Sequence, residues 1–146
     1  MDIIIGPDPR LNRQSKPVKK IDDHIIGMVG GMLSLLGTFS EGISLSAPQV
    51  GELLQVFVIR YLGQEIIAIN PEIVKTHGSH ILKESCLSFP GKVYEVKRPK
   101  LVKMRYTGLD GLQHTEHAHD TLAQCLAHEC DHLRGVTIDQ IGRLVV

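Results

Sequence analysis

The sequence lacks a net charge, since its 146 residues carry 16 Lys and Arg against 16 Asp and Glu. Because the two signs balance, no overall positive field draws the chain to nucleic acid or to an anionic membrane surface. We therefore expect recognition of partners at a local site, with no direct nucleic-acid or membrane partner.

Long apolar runs are also missing, because no 18 consecutive residues are apolar. The most apolar segment contains Gly30 and Gly31 and begins near Asp22 and Asp23. A membrane-spanning helix needs about 20 apolar residues, so this segment is predicted to be a core helix. The first ten residues have no basic region followed by an apolar core, which argues against a secretory signal.

Cysteines are few, and the three that occur, Cys86, Cys125 and Cys130, do not have the number or spacing of a disulfide framework. Unpaired thiols are typical of a reducing compartment, so we expect a cytoplasmic protein. A chain of this length buries about two thirds of its unfolded surface without staples. We expect one domain over residues 1–146, present as a monomer.

The hydrophobic pattern predicts an α+β fold. Apolar residues recur every three or four positions over 21–36, and a second helix is predicted from Asp120 or Thr121 to about Arg134, before Gly135. The first helix is expected to pack against the second. Residues 40–51 are predicted to form a loop that approaches a ligand. Short antiparallel strands are predicted between the helices, at residues 54–60, 65–70, 73–74, 81–82, 92–97, 101–106 and 112–119.

The second helix carries a candidate metal site. His128 and His132 are four residues apart, so their side chains share one helix face and can converge on one ion, with Glu129 at the edge of that face. A hydrolytic site needs a third protein ligand and one open position. Cys86, which lies between two strand segments, is the best candidate for the third ligand, and Cys125, three residues before His128 on the same helix face, is its rival. Most free cysteines are instead buried small apolar residues.

Other polar residues near this helix have simpler interpretations. Cys130 lies about 200° around the helix from His128 and is expected in the core. Asp131 is expected to pair with an Arg or Lys. His117 and His119 share one side of a strand, where a solvated surface is favoured over a second metal site. Thr121 and Gln124 share the face of His128 and either line the pocket or point past it.

Three separated segments of the chain resemble the signature motifs of peptide deformylases. The segments are Gly42-Ile43-Ser44-Leu45-Ser46-Ala47-Pro48-Gln49, Glu84-Ser85-Cys86-Leu87-Ser88 and His128-Glu129-Cys130-Asp131-His132. Their order and spacing match over nearly the whole chain. The resemblance implies an α+β metallohydrolase that removes the N-formyl group from peptides beginning with formylmethionine, acting on nascent chains at the ribosome.

The resemblance also implies roles for individual residues. Cys86, His128 and His132 would bind one divalent ion, Fe²⁺ in the cell, with Zn²⁺, Ni²⁺ or Co²⁺ as possible replacements. Glu129 would be the general acid and base. The side-chain amide of Gln49 and the backbone N–H of Leu87 would stabilise the oxyanion. The peptide groove is expected to be lined by Gly42, Ile43, Ser44, Ser85 and Cys125.

The chain departs from the family pattern at a few motif positions. Ser44 and Ser85 stand where the family usually has Gly, Ser46 where it has Ala, and Ala127 where it has Gln. Glycine at such positions lets a substrate backbone approach closely, so the serines bear on the shape of the groove. With 14 residues after His132, the chain resembles the short form of the family, which lacks the C-terminal helix.

The sequence is also compatible with two other functions. One is a deformylase-like hydrolase that prefers another N-acyl peptide. The other is a peptide-binding or ribosome-binding module whose metal is structural, although a closed site would need a fourth ligand and would not need Glu129 or Gln49.

Overall fold

A computed structural model of the chain describes residues 1–40 and 42–146. Within these residues the helices are α1 (Asp23–Leu36), α2 (Asp120–Leu133) and α3 (Ile138–Ile141). The strands are β1 (Ser44–Ser46), β2 (Val56–Tyr61), β3 (Gln64–His77), β4 (His80–Glu84), β5 (Tyr94–Arg98), β6 (Leu101–Thr107), β7 (Gln113–His119) and β8 (Arg143–Leu144). Two short 3₁₀ helices lie at Pro9–Asn12 and Ala47–Val50.

The strands form two antiparallel sheets. The larger sheet has the order β1-β2-β3-β6-β7 and the smaller one the order β4-β5-β8. This confirms the predicted α+β class.

The two long helices lie against opposite faces of the larger sheet. On β2, Phe57 and Ile59 point into the core cluster that includes Leu126 of α2, whereas Val56 and Val58 point into the cluster formed with α1. This follows from the period of two along a strand. The expectation that α1 packs against α2 was therefore wrong. Its apolar stripe is buried by the sheet, which lies between the two helices.

Helix ends follow local chemistry. The Asp22 carboxylate accepts a hydrogen bond from the Ile25 N–H at 3.1 Å, so α1 begins two residues later than predicted from periodicity. At the end of α2, Gly135 has φ +79°, the left-handed conformation expected after a helix. At its start, α2 begins at Asp120 as predicted, with His119 as the cap residue, which makes no side-chain cap hydrogen bond.

Three segments differ from the sequence prediction. The loop predicted at 40–51 contains β1 and the 3₁₀ helix Ala47–Val50. The break predicted at Pro71 is a bulge inside β3, where the register with β6 shifts between Ile69 and Glu72. The tail after residue 136 folds back as α3 and β8, and β8 pairs with β5. Each difference depends on pairing with a distant strand, which local patterns do not contain.

Among the described residues, no helix has both the length and the hydropathy of a membrane span.

Candidate metal centre

Helix α2 carries two buried histidines whose imidazoles meet. The Nε2 atoms of His128 and His132 are 3.2 Å apart, and both side chains are almost completely buried. One helical turn separates the two residues, so the backbone itself sets this convergence.

Cys86 completes the cluster from the connection between β4 and β5. Its Sγ lies 3.3 Å from His132 Nε2, and one donor atom from each of the three residues lies within 4.8 Å of the others. Donors that share one tetrahedral ion at about 2.0–2.3 Å are about 3.3–3.6 Å apart. The donor set and its spacing therefore fit one divalent ion. His132 Nδ1 and Glu129 Oε1, buried beside this cluster, have no hydrogen-bond partner in the described residues.

The cluster that could hold a metal ion contains Cys86 and not Cys125. Burial raises the pKa of the Cys125 thiol to about 12. Its side chain packs in the core between α2 and the sheet. Cys130 also packs against that core, with its Sγ 3.9 Å from Met104 Sδ, as predicted.

The outer nitrogen of His128 is held by a buried carboxylate that the sequence analysis did not assign. His128 Nδ1 is 2.7 Å from Glu84 Oε2. Arg98 binds the same carboxylate through two hydrogen bonds, of 2.9 Å to Oε1 and 2.6 Å to Oε2. Burial alone would raise the pKa of Glu84, but hydrogen bonds from Arg98 and His128 lower it to about 2. Glu84 is therefore an anion that orients the imidazole.

Arg98 extends this network back to α2. Its Nη1 donates to Asp131 Oδ2 at 2.6 Å, and Asp131 also pairs with Arg134. The expectation that Asp131 pairs with a cation is confirmed. A signal for Arg98 was present in the sequence, because Tyr94, Val96 and Arg98 alternate along one buried side of β5. Read as part of that buried side, Arg98 required an acidic partner.

Glu129 lies at the edge of the histidine pair. Its side chain is 1% exposed, and its Oε2 is 3.9 Å from His128 Nε2. The hydroxyl of Ser44 donates to Oε2 at 2.5 Å, while Oε1 has no partner in the described residues. Burial raises the pKa of Glu129.

Gln49 reaches the cluster from the 3₁₀ helix that follows β1. Its Oε1 accepts hydrogen bonds from the backbone N–H of Ser46 at 2.9 Å and the hydroxyl of Ser46 at 3.0 Å. Its Nε2 therefore points the other way, 3.5 Å from Cys86 Sγ and 3.1 Å from Ser88 Oγ. The backbone N–H of Leu87, next to Cys86, has no acceptor among the described residues.

An open cavity of about 580 Å³ leads to Cys86 and His128. The groove residues predicted from the sequence all line it, namely Gly42, Ile43, Ser44, Ser85 and Cys125. Thr121 and Gln124 line it as well, so the reading in which they point past the pocket was wrong. The Gln124 amide donates to Lys83 O at 3.0 Å and to Glu84 Oε1 at 3.2 Å. The side-chain amide of Gln124 is thus hydrogen-bonded to the wall of the cavity. Leu87, Phe89 and Val93 add apolar surface to the lining.

The second group of histidines forms no such cluster. His117 and His119 are exposed on β7, at a shallow surface depression. Among the described residues, the three converging metal donors belong to Cys86, His128 and His132, and these two histidines are not part of that cluster. The predicted solvated strand face agrees with their exposure.

Comparison with known proteins gives one consistent family. The family model described as polypeptide deformylase matches residues 1–145. The peptide deformylase of Thermoanaerobacter pseudethanolicus is 41% identical over 130 residues, covering 88% of this chain and 80% of the relative. That of Agrobacterium fabrum is 40% identical over 149 residues, covering 97% of this chain and 87% of the relative.

Solved structures agree with the sequence relatives. A peptide deformylase from Legionella pneumophila superposes with a TM-score of 0.92 at 33% identity, covering 96% of this chain and 84% of that one. The enzyme from Thermotoga maritima gives a TM-score of 0.91 at 33% identity, covering 96% of this chain and 95% of that one. With the Cys86, His128 and His132 cluster in place and matches that span nearly its whole length, the chain belongs to the polypeptide deformylase family.

Proposed function

We propose that the site at Cys86, His128 and His132 hydrolyses the formamide bond of peptides that begin with N-formylmethionine. Deformylation is the activity of the family to which the chain belongs. The observation that carries the assignment to this site is the buried Glu129 carboxylate beside three converging donors at the end of an open cavity.

The three donors would hold one divalent ion. We propose that this ion is Fe²⁺ in the cell. One thiolate and two imidazoles also accept Zn²⁺, Ni²⁺ or Co²⁺, so the availability of each metal decides which one is bound. When bound, such an ion lowers the pKa of coordinated water and makes hydroxide available near neutral pH. The Glu84 carboxylate would keep His128 Nδ1 protonated, so that Nε2 is free to bind metal.

Glu129 is proposed as the general base and then the general acid. Its free oxygen, Oε1, would accept the proton of the attacking water and pass it to the nitrogen of the leaving amine. Because burial raises the pKa of Glu129, its protonated form is more accessible than that of an exposed glutamate. This assists the second transfer.

Gln49 and Leu87 are proposed to stabilise the oxyanion that forms on the formyl oxygen. The amide group of Gln49 is oriented before substrate arrives, since Ser46 holds its oxygen. The N–H of Leu87 has no acceptor among the described residues and lies next to Cys86, a proposed metal ligand, in the sequence. Donors placed in this way each contribute about 3 kcal/mol to stabilising the transition state.

The cavity is proposed to bind the peptide. Its lining includes Gly42, Ile43, Ser44, Ser85 and Cys125, which we propose as contacts of the substrate. The apolar lining suits a methionine side chain, which gains about 0.8 kcal/mol for each buried methylene group. The residues of β1 have extended backbone that a peptide strand can follow.

The cellular setting is also a proposal. We propose a monomeric protein, one domain over residues 1–146, that works in the cytoplasm on nascent chains as they leave the ribosome. Balanced charge and unpaired cysteines support this setting.

The function is tested with protein loaded with Fe²⁺ in the absence of oxygen. We expect it to release formate from formyl-Met-Ala-Ser and to leave acetyl-Met-Ala-Ser intact. Failure on the formyl peptide by a fully loaded protein would contradict the proposed function, whereas faster cleavage of another acyl group would identify a different substrate class. The Cys86→Ala variant serves as the control for contaminating deformylase activity.

A further inference from the structure

The site-facing side of β1 carries two hydroxyl groups. Ser44 and Ser46 are two residues apart on this strand, so their side chains lie on the same side, while Leu45 between them is buried in the cluster formed with α1. Each serine donates a hydrogen bond to one of the side chains proposed to act in catalysis.

Ser44 is the one hydrogen-bond donor to the Glu129 carboxylate within the described residues. The bond joins Ser44 Oγ to Glu129 Oε2 at 2.5 Å. The other oxygen, Oε1, is buried and has no partner there. A carboxylate held at one oxygen cannot rotate freely about its last bond, so the direction of the second oxygen is fixed as well.

We propose that Ser44 is a positioning residue that anchors Oε2 of Glu129 and thereby makes Oε1 the atom that carries the proton. This rests on the proposed function. In the first step a water O–H bond breaks, the water oxygen bonds to the formyl carbon and the proton goes to Oε1. In the second step the bond between the formyl carbon and the amine nitrogen breaks, the Oε1–H bond breaks, and the proton goes to the leaving amine nitrogen, which leaves formate and the free amine. Ser44 keeps its own proton throughout, since its O–H points at Oε2.

Ser46 provides an internal comparison on the same strand. Its hydroxyl donates to Gln49 Oε1, but the backbone N–H of Ser46 donates to the same oxygen at 2.9 Å. Removing the Ser46 hydroxyl therefore leaves one donor in place, whereas removing that of Ser44 leaves Glu129 with none among the described residues. The two deletions remove the same chemical group from one side of β1, at a half-buried position for Ser44 and a buried one for Ser46, and they differ in whether a second donor remains.

The experiment compares Ser44→Ala, Ser44→Thr and Ser46→Ala with the unaltered chain, all loaded with the same metal. Hydrolysis of formyl-Met-Ala-Ser is followed to obtain kcat and KM, together with metal content and the midpoint of unfolding. For Ser44→Ala we expect kcat to fall by about ten- to one-hundredfold with KM and metal content unchanged, because a hydrogen bond to a charged group is lost. Ser44→Thr keeps the hydroxyl and is expected to restore kcat to within about threefold.

For Ser46→Ala we expect a loss of kcat of less than about threefold, since the backbone donor remains. The proposal is overturned if Ser44→Ala keeps full kcat, if Ser44→Thr is as slow as Ser44→Ala, or if both alanine variants lose activity equally. The proposal is also overturned if the loss of kcat in Ser44→Ala is accounted for by a lower metal content or a lower midpoint of unfolding. Ser44→Cys, with a weaker donor of similar size, replaces Ser44→Ala should that variant not fold, and we expect a loss of kcat in the same direction. An inactive unaltered chain would instead contradict the proposed function.

Discussion

His128 Nδ1 lies 2.7 Å from Glu84 Oε2, so the imidazole proposed to bind metal is held at its outer nitrogen by a buried anion. Arg98 binds the same carboxylate and reaches Asp131 on the helix that carries His128. The orientation of the histidine is thereby tied to two separate elements, β4 and β5, as well as to its own helix.

Replacing this carboxylate should weaken metal binding without removing a ligand. For Glu84→Gln we expect the affinity for Zn²⁺ or Co²⁺ to fall by about ten- to one-hundredfold, as is typical when the outer partner of a ligating histidine is lost. A competition titration with a chromophoric chelator measures this. Glu72→Gln, at an exposed position of β3, is the control and should leave affinity unchanged. Equal affinities in the Glu84 variant and the unaltered chain would contradict the prediction.

Arg98 should be important for folding, because its removal leaves the carboxylates of Glu84 and Asp131 buried without their shared cation. Arg98→Met is expected to lower the free energy of unfolding by about 3–5 kcal/mol, measured by urea denaturation of the metal-free chain. Arg60 offers a matched control, since its pair with Glu65 has side chains 46% and 45% exposed. Arg60→Met should cost less than about 1 kcal/mol. Similar losses in the two variants would show that burial is not the cause.

The two cysteines near the site should differ in metal binding. Cys86→Ala is expected to lose most bound metal, because two histidines alone hold a divalent ion weakly. Cys125→Ala should retain it, since that thiol is outside the cluster. Metal content after purification without oxygen measures both. Retention of metal by the first variant and loss by the second would reverse the ligand assignment.

Replacing Glu129 should greatly slow catalysis without removing the metal. Glu129→Ala is expected to keep its metal and to lose about 10²–10⁴-fold in kcat, which is the usual contribution of a positioned general base and acid. Metal analysis and formate release on the same sample test the two parts. A binding module with a structural metal would show no functional change on this substitution. Loss of metal together with activity would instead point to Glu129 as a ligand.

Local sequence patterns were sufficient for part of the site. The spacing of His128 and His132 fixes their distance once the segment is helical, because both side chains belong to the same turn. The period of two along a strand is a local property in the same way, so neighbouring residues of β2 face opposite sides of the sheet. The three motifs, taken together, also identified the family before any fold was known.

The partners of these residues were decided by contacts between distant segments. Cys86 and His132 are separated by 46 positions, and Ser44 and Glu129 by 85. No periodicity links such positions, so the sequence could not choose between Cys86 and Cys125 on spacing alone. Glu84 and Arg98 went unassigned for the same reason, since each acquires its role only where β4, β5 and α2 meet.

By itself the sequence determined the helix that carries His128, Glu129 and His132, because hydrogen bonds along the backbone and a period of 3.6 residues are local properties. Only the tertiary structure decided which sulfur lies beside those imidazoles, which carboxylate bonds to Nδ1 of His128 and which hydroxyl donates to Glu129. These are contacts across the core, and they exist only when the larger sheet separates α1 from α2 and residues of β4 and β5 in the smaller sheet contact α2.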